Sequence, residues 1–270
     1  MAAPRLPVWF IPHGGGPCFF MDPPPSAPET WTGMAAYLRG IPATIGERPR
    51  ALLVISAHWL ERRPTVTAAA EPSLIYDYRG FPPHTYQLRY PAPGDPALAA
   101  DICRLLNRAG IDSAADETRG FDHGVFVPLL LLYPNADIPT VQLSLSMSLD
   151  PAEHIAIGRA LASLRDEGVL IIGSGLSFHN LQNLYRADPR IIQIAEKFDA
   201  WLTAAVAGPE AERNAALTAW AAAPGARVSH PSEDHLIPLM VAAGAAAEDL
   251  GVRDYSDHIF GAPVSGYRFG

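Results

Sequence analysis

The sequence predicts an α/β protein: a single domain over residues 1–270 with a central, largely parallel or mixed β-sheet flanked by helices. Three observations predict it. Short apolar runs recur at Val8–Ile11, Ala51–Ile55, Ile138–Leu145 and Val169–Ile172, and a continuous apolar run of this length fits a strand covered on both faces. Stretches with helix start and stop signals lie between them, and strands alternating with helices form parallel sheets. No linker or internal repeat divides the 270 residues, a length that one large domain accommodates.

Each element can be justified in order. Val8–Ile11 is a strand that runs into Pro12-His13-Gly14-Gly15-Gly16-Pro17, where three glycines let the backbone approach a ligand closely. A phosphate loop is the competing reading, but neither a Lys-Ser/Thr pair nor GxGxxG spacing is present. Trp31–Gly40 is a helix stopped by Gly40. Ala51–Ile55 leads through Ser56-Ala57 to His58, and Pro64–Ala70 is a neighbouring strand. Tyr76–Pro93 is a long loop with Phe81-Pro82-Pro83-His84, of a length often used for lids; His84 reads as a loop residue. Asp95 caps a helix that Gly110 stops. Gly120-Phe121-Asp122-His123-Gly124 opens a helix running to Tyr133, with Asp122 as its cap or as a partner that helps orient His123.

After the strand Ile138–Leu145, Asp150 caps a helix to about Asp166, and His154 falls in its first turn, on the surface. Val169–Ile172 then breaks at a Gly173-Ser174-Gly175 turn, followed by His179. Arg190–Ala223 is Ala-rich helix with a break near Gly208-Pro209. Ser232 caps the next helix, with Glu233 and Asp234 in its first turn and His235 third. Arg253–Gly270 reads as short strands or loops, with His258 structural.

Composition excludes several classes. A net charge of −8 without a basic cluster argues against a nucleic-acid partner. Lys197 is the only lysine. Cys18 and Cys103 form neither a disulfide framework nor a thiolate metal site. The N-terminal apolar run stops at Pro12, too short for a signal peptide, and no segment reaches bilayer length. The chain therefore reads as cytoplasmic, with no membrane partner, and a homo-oligomer is allowed.

Ligands in open α/β sheets bind beyond the carboxyl ends of the strands. If the three strands are parallel, His13, His58 and His179 project from one edge, and His235 at a helix start closes the group. Imidazole sites without thiolates suit Fe(II), Zn(II), Cu or Ni. No short ligand spacing chooses among them.

Four motifs carry a family resemblance: Val54-Ile55-Ser56-Ala57-His58-Trp59, Phe121-Asp122-His123-Gly124, the stretch Tyr133 to Ser144, and Asp234-His235-Leu236-Ile237-Pro238-Leu239. Together they resemble the DOPA 4,5-dioxygenase-like branch of the class III extradiol dioxygenases, the superfamily of the protocatechuate 4,5-dioxygenase catalytic subunit. The resemblance runs from Phe10 to about Gly244. It implies His13, His58 and His235 as metal ligands, His179 as catalytic acid/base beside the metal or as a fourth ligand, and His123 as the second active-site histidine. It further implies Fe(II), with Zn(II) able to enter the same site, and a catecholic small molecule and O2 as substrates, giving a ring-opened semialdehyde. Two departures bear on the substrate. The first loop is His-Gly-Gly-Gly-Pro where many relatives have His-Gly-Ser-Pro, and Leu176-Ser177-Phe178 replaces a more usual Asn-Val-Val. Arg79, Arg89 and Arg186 are candidates to meet a substrate carboxylate.

Two other classes compete. A zinc hydrolase would use the same histidines with Glu233 or Asp234 as base, but it lacks an HExxH-type helix. A non-enzymatic binding protein resembling the Memo branch would not need all five histidines.

Overall fold

The computed structural model describes residues 5–184 and 188–270. The apolar runs form strands: β1 (Val8–Pro12), β2 (Ala51–Glu61), β3 (Thr65–Thr67), β4 (Ala114–Asp116), β5 (Thr140–Ser146), β6 (Val169–Gly175), β7 (Gly251–Ile259) and β8 (Ala262–Phe269). Their order across the sheet is β4-β3-β5-β2-β6-β1-β8-β7. The central four, β5-β2-β6-β1, are parallel. β3 joins β5, and β8 joins β1, antiparallel, so the sheet is mixed, as expected.

Every residue of β1, β5 and β6 is buried, because helices cover both faces. The strands divide their side chains between two cores with a period of two: Val8, Phe10, Leu53, Ile55 and Ile171 belong to one, and Trp9, Ile11, Leu52, Val54 and Ile172 to the other. This alternation follows from the pleat, which points successive side chains to opposite faces.

The helices are α1 (Thr32–Thr44), α2 (Pro96–Arg108), α3 (His123–Leu132), α4 (Pro151–Leu161), α5 (Leu181–Leu184), α6 (Pro189–Val206), α7 (Glu210–Thr218), α8 (Ala226–Ser229) and α9 (Ile237–Ala246). The Asp95 and Asp150 side chains cap α2 and α4 as expected, accepting from the amides of Leu98 and Glu153. The break at Gly208-Pro209 separates α6 from α7. All of α9 is buried, and it packs on β6, β1 and α4.

Three expectations are corrected. Gly40 does not stop α1, which continues to Thr44 because Met34, Leu38 and Ile41 bury one continuous face. Gly173-Ser174-Gly175 is not a turn; β6 extends through it. Its glycines serve close approach: a Cβ on Gly173 would lie 2.5 Å from the Pro238 carbonyl, and one on Gly175 2.1 Å from the His235 carbonyl. Ser232 does not cap α9, and His235 is not helical. It lies in a turn closed by the amides of Leu236 and Ile237 on the Glu233 carbonyl, and α9 starts two residues later with Pro238 in its first turn, where a missing N–H costs nothing. In the tail the strand reading holds: β7 and β8 form a hairpin that extends the sheet beyond β1.

Candidate active site

The parallel register lines up the carboxyl ends. Ser174 of β6 pairs with Ile11 of β1 and with Ser56 of β2, and His13 and His58 each follow two residues on. His13 donates its amide to Gly175 O at 3.2 Å. The pairing of β2 with β5 shifts register between Ile55 and Leu60, so His58 sits on an irregular stretch of strand. His123 is the first residue of α3. His179 follows the end of β6 and is held by its amide to Ser229 O at 2.9 Å. The two close-approach glycines allow the turn before α9 to lie against β6, where the His235 carbonyl accepts from the Leu176 amide at 3.0 Å.

The five histidines named from sequence come together. Ring centroids of His13 lie 4.9 Å from His58, 5.2 Å from His235 and 5.6 Å from His123. His58 lies 3.9 Å from His123 and 4.8 Å from His235. His179 stacks on His235 at 3.4 Å and 14°. One nitrogen each of His13, His58 and His235 falls within 4.8 Å of the others, so these three could hold one metal ion.

Partners outside the cluster fix which nitrogen faces in. Ser174 donates its hydroxyl to Gly124 O at 2.5 Å. It therefore accepts at 3.0 Å from His13 Nδ1, leaving the His13 Nε2 lone pair directed at His58 Nε2, 3.2 Å away. Asp234 accepts from His235 Nδ1. Asp77 accepts both the amide and Nδ1–H of His123, at 3.0 and 2.8 Å. With Nδ1 so engaged, Nε2 is the nitrogen that each of these rings has left for the cluster.

Burial, then the mutual repulsion of neighbouring imidazolium charges, holds His13 and His58 well below the ordinary histidine range. Burial and the neighbouring His235 likewise lower His179. His235 is lowered by burial, opposed by Asp234. Hydrogen bonds from His123 keep Asp77 below the usual carboxylate range despite desolvation. Burial thus favours the uncharged form of His13, His58, His179 and His235, the form in which imidazoles can ligate a metal.

Asp122 occupies the position before α3 without making a cap bond. Its buried carboxylate accepts instead from Ser56 at 2.6 Å, from Gln142, and from Arg119 at 3.3 Å, tying β2 and β5 to the start of α3.

A cavity of about 300 Å³ opens on the cluster. It is lined by His58, His123, His179 and His235, by Gly14, Gly15 and Gly16, by Leu176 and Phe178, and by Phe81 of the long loop. Both sequence departures therefore reach the cavity, apart from Ser177, whose hydroxyl accepts from the Ser265 amide at 2.7 Å. The loop supplies Asp77 as well as Phe81. His84 is exposed and bonds Phe20 O at 2.9 Å, a loop role as expected. Arg79 and Arg89 are exposed and not among the cavity's lining residues; Arg186 lies outside the described residues. His258 is an exposed residue of β7.

His154 overturns its expectation. It is wholly buried and clasps the end of β5 to the start of α4, accepting from the Ser146 amide at 3.0 Å and bonding Asp150 O at 2.7 Å. Sequence reasoning also missed Asp77 and Ser174 as partners of the cluster. Nothing within the Pro- and Tyr-rich loop marks Asp77, whereas Ser174 between two glycines at a strand end was a usable signal.

Comparison with known proteins agrees with this geometry. Residues 7–269 match the family profile described as the catalytic LigB subunit of aromatic ring-opening dioxygenase. The chain is 42% identical to a 4,5-DOPA dioxygenase extradiol of Beta vulgaris, over 90% of this chain and 87% of that one. It is 40% identical to the dioxygenase tasH of Hapsidospora irregularis, over 98% and 85%, and 36% identical to a 4,5-DOPA dioxygenase extradiol of Escherichia coli, over 91% and 87%. The crystal structure of an uncharacterized protein of Escherichia coli K12 superimposes with a TM-score of 0.76 at 30% identity, covering 98% of this chain and 100% of that one. With the fold, the histidine cluster and these relatives in agreement, the chain belongs to the LigB family of extradiol aromatic ring-opening dioxygenases.

Proposed function

We propose that this enzyme is a cytoplasmic, Fe(II)-dependent dioxygenase that cleaves a catechol-type ring beside its two hydroxyl-bearing carbons with O2, giving a ring-opened semialdehyde. In this reading His13, His58 and His235 hold the iron, His179 is the acid/base and His123 the second active-site histidine. One observation carries it: a nitrogen each of His13, His58 and His235 lies within 4.8 Å of the others, beside a cavity that His58 and His235 line. This donor set suits a divalent first-row metal. The outer nitrogens of His13 and His235 are engaged by Ser174 and Asp234, the support that metal-binding histidines ordinarily have.

The metal, when bound, would supply the charge that favours the catecholate and the redox chemistry with O2. The chain supplies the rest. His179, kept neutral by burial, accepts a phenolic proton at an imidazole nitrogen and can return it to the opening ring; such a base contributes on the order of 10²–10⁴ in rate. His123 presents Nε2 to the cavity while Asp77 fixes its ring. The apolar walls exclude water, which strengthens every polar contact inside.

The zinc-hydrolase reading finds less support. Asp234 is committed to His235, and Glu233 pairs with Arg227 at 2.7 Å, so neither is placed as a free base.

Metal-stripped protein reloaded with Fe(II) should consume one O2 per catechol and form a yellow product. His58→Ala should fold with an unchanged melting temperature yet retain no stoichiometric iron. Undiminished iron affinity in that variant would remove His58 from the ligand set.

A further inference from the structure

The histidines are the polar part of the cavity wall, and the remainder is apolar. Trp31, Phe81, Phe178, Ile259, Phe260 and Val264 dominate it, and no Lys, Arg, Asp or Glu is among its described lining residues. Cys18, also on the wall, is buried, and its thiol is pushed up to about 12, so it too is uncharged. Arg39 is exposed and borders a neighbouring depression that shares Cys18, Met21 and Trp31 with the cavity, but it is not among the cavity's own lining residues. The charged groups bonded to the cluster, Asp77 and Asp234, are both carboxylates. Among the described residues, a substrate carboxylate entering this cavity would meet no cationic side chain to offset its lost hydration, a costly exchange. An alkyl or aryl group would gain the burial of its whole surface.

We propose that the site takes an uncharged catechol bearing an apolar ring substituent and discriminates against carboxylated catechols, the aromatic and aliphatic wall around Trp31, Phe81 and Phe260 being the specificity element. This rests on the ring-cleavage reading above. It departs from what the names of the DOPA-cleaving relatives would lead one to expect, since DOPA carries a charged amino-acid side chain.

The test uses two catechols of nearly the same shape: 4-(3-methylbutyl)catechol and 3-(3,4-dihydroxyphenyl)propionate, in which a carboxylate replaces the isopropyl end. Affinities are measured by anaerobic calorimetry on the iron-loaded enzyme, and kcat/KM by O2 uptake. The neutral compound should bind at least about tenfold more tightly, a difference of about 1.4 kcal/mol. Along catechol, 4-methyl-, 4-ethyl- and 4-propylcatechol, kcat/KM should rise about fourfold per methylene. Met21→Arg adds a cation at a half-buried position on the wall and should narrow the gap between the two isosteres, with melting temperature confirming the fold. Equal or tighter binding of the carboxylate, or a gap that Met21→Arg leaves untouched, would overturn the inference while ring cleavage stands. Turnover of none of these catechols by iron-loaded enzyme would overturn the ring-cleavage reading and this inference with it.

Discussion

His13 and His154 are equally buried, each with no exposed surface, yet they are built for different ends. His154 spends both ring nitrogens inside the protein, one on the Ser146 amide and one on the Asp150 carbonyl. His13 spends only Nδ1, on Ser174, and turns Nε2 toward His58. His235 and His123 repeat the second pattern with Asp234 and Asp77. His230 is a third case: it is wholly buried, bonds Ser177 O through Nε2 at 2.8 Å, leaves Nδ1 without a hydrogen bond among the described residues and packs edge-on against Phe198 and Trp220, away from the cavity wall. What separates a histidine of the site from a histidine of the framework is where its second nitrogen points, not its burial.

Substitutions can break this comparison, and the largest effect falls in the cluster. His179→Gln should slow turnover on the order of 10²–10⁴ while keeping iron, since His13, His58 and His235 remain. Its pH–rate profile should lack a limb that the wild type shows. Iron content, melting temperature and turnover measured on one preparation separate the outcomes. Lost iron would make His179 a ligand, and near-normal turnover in iron-loaded protein would deny it a catalytic part.

His154→Ala should do the reverse. It removes the partner of the Ser146 amide and opens a void, costing about 3 kcal/mol, seen in a denaturant midpoint. Turnover per folded molecule should be unchanged. A fall in specific activity with stability intact would place His154 among the functional residues.

A third effect is on pH. Burial lowers His154, and lowers His230 to about 4, so the unfolded chain takes up these protons near 6.5 while the folded chain does not. Their contribution to stability is complete above about 6.5 and is lost as pH falls toward 4. Unfolding monitored over that window should show His230 adding the slope of one proton, and His230→Gln should lower the total slope by that amount. A slope unchanged in the variant would mean that His230 is already charged in the folded state.

These particulars also show what a sequence can and cannot carry. The runs at Val8, Ala51 and Val169 announce buried parallel strands because continuous apolarity has few other uses at that length, and parallel strands bring their ends to one edge. His13, His58 and His179 were legible for that reason. His154 was not: a first-turn position on α4 looks exposed until β5 is known to end beside it. The glycines flanking Ser174 read as a turn because local signals report backbone freedom and not what packs against it; here the turn carrying His235 lies on them. Asp77 was invisible, since its partner His123 is 46 residues away and the loop between obeys no period. The roles of the five histidines came from family resemblance, and their convergence from geometry.

The central claim, that the cluster serves iron-dependent ring cleavage, is tested most directly by metal exchange. Imidazole sites bind zinc more tightly than ferrous iron, but zinc has no redox chemistry to offer O2. Metal-free enzyme titrated anaerobically with Fe(II), then given a catechol and O2, should gain O2 uptake in proportion to iron and saturate at one per chain; the same titration with zinc should occupy the site and give none. Full ring cleavage by zinc-loaded, iron-free protein would contradict the account.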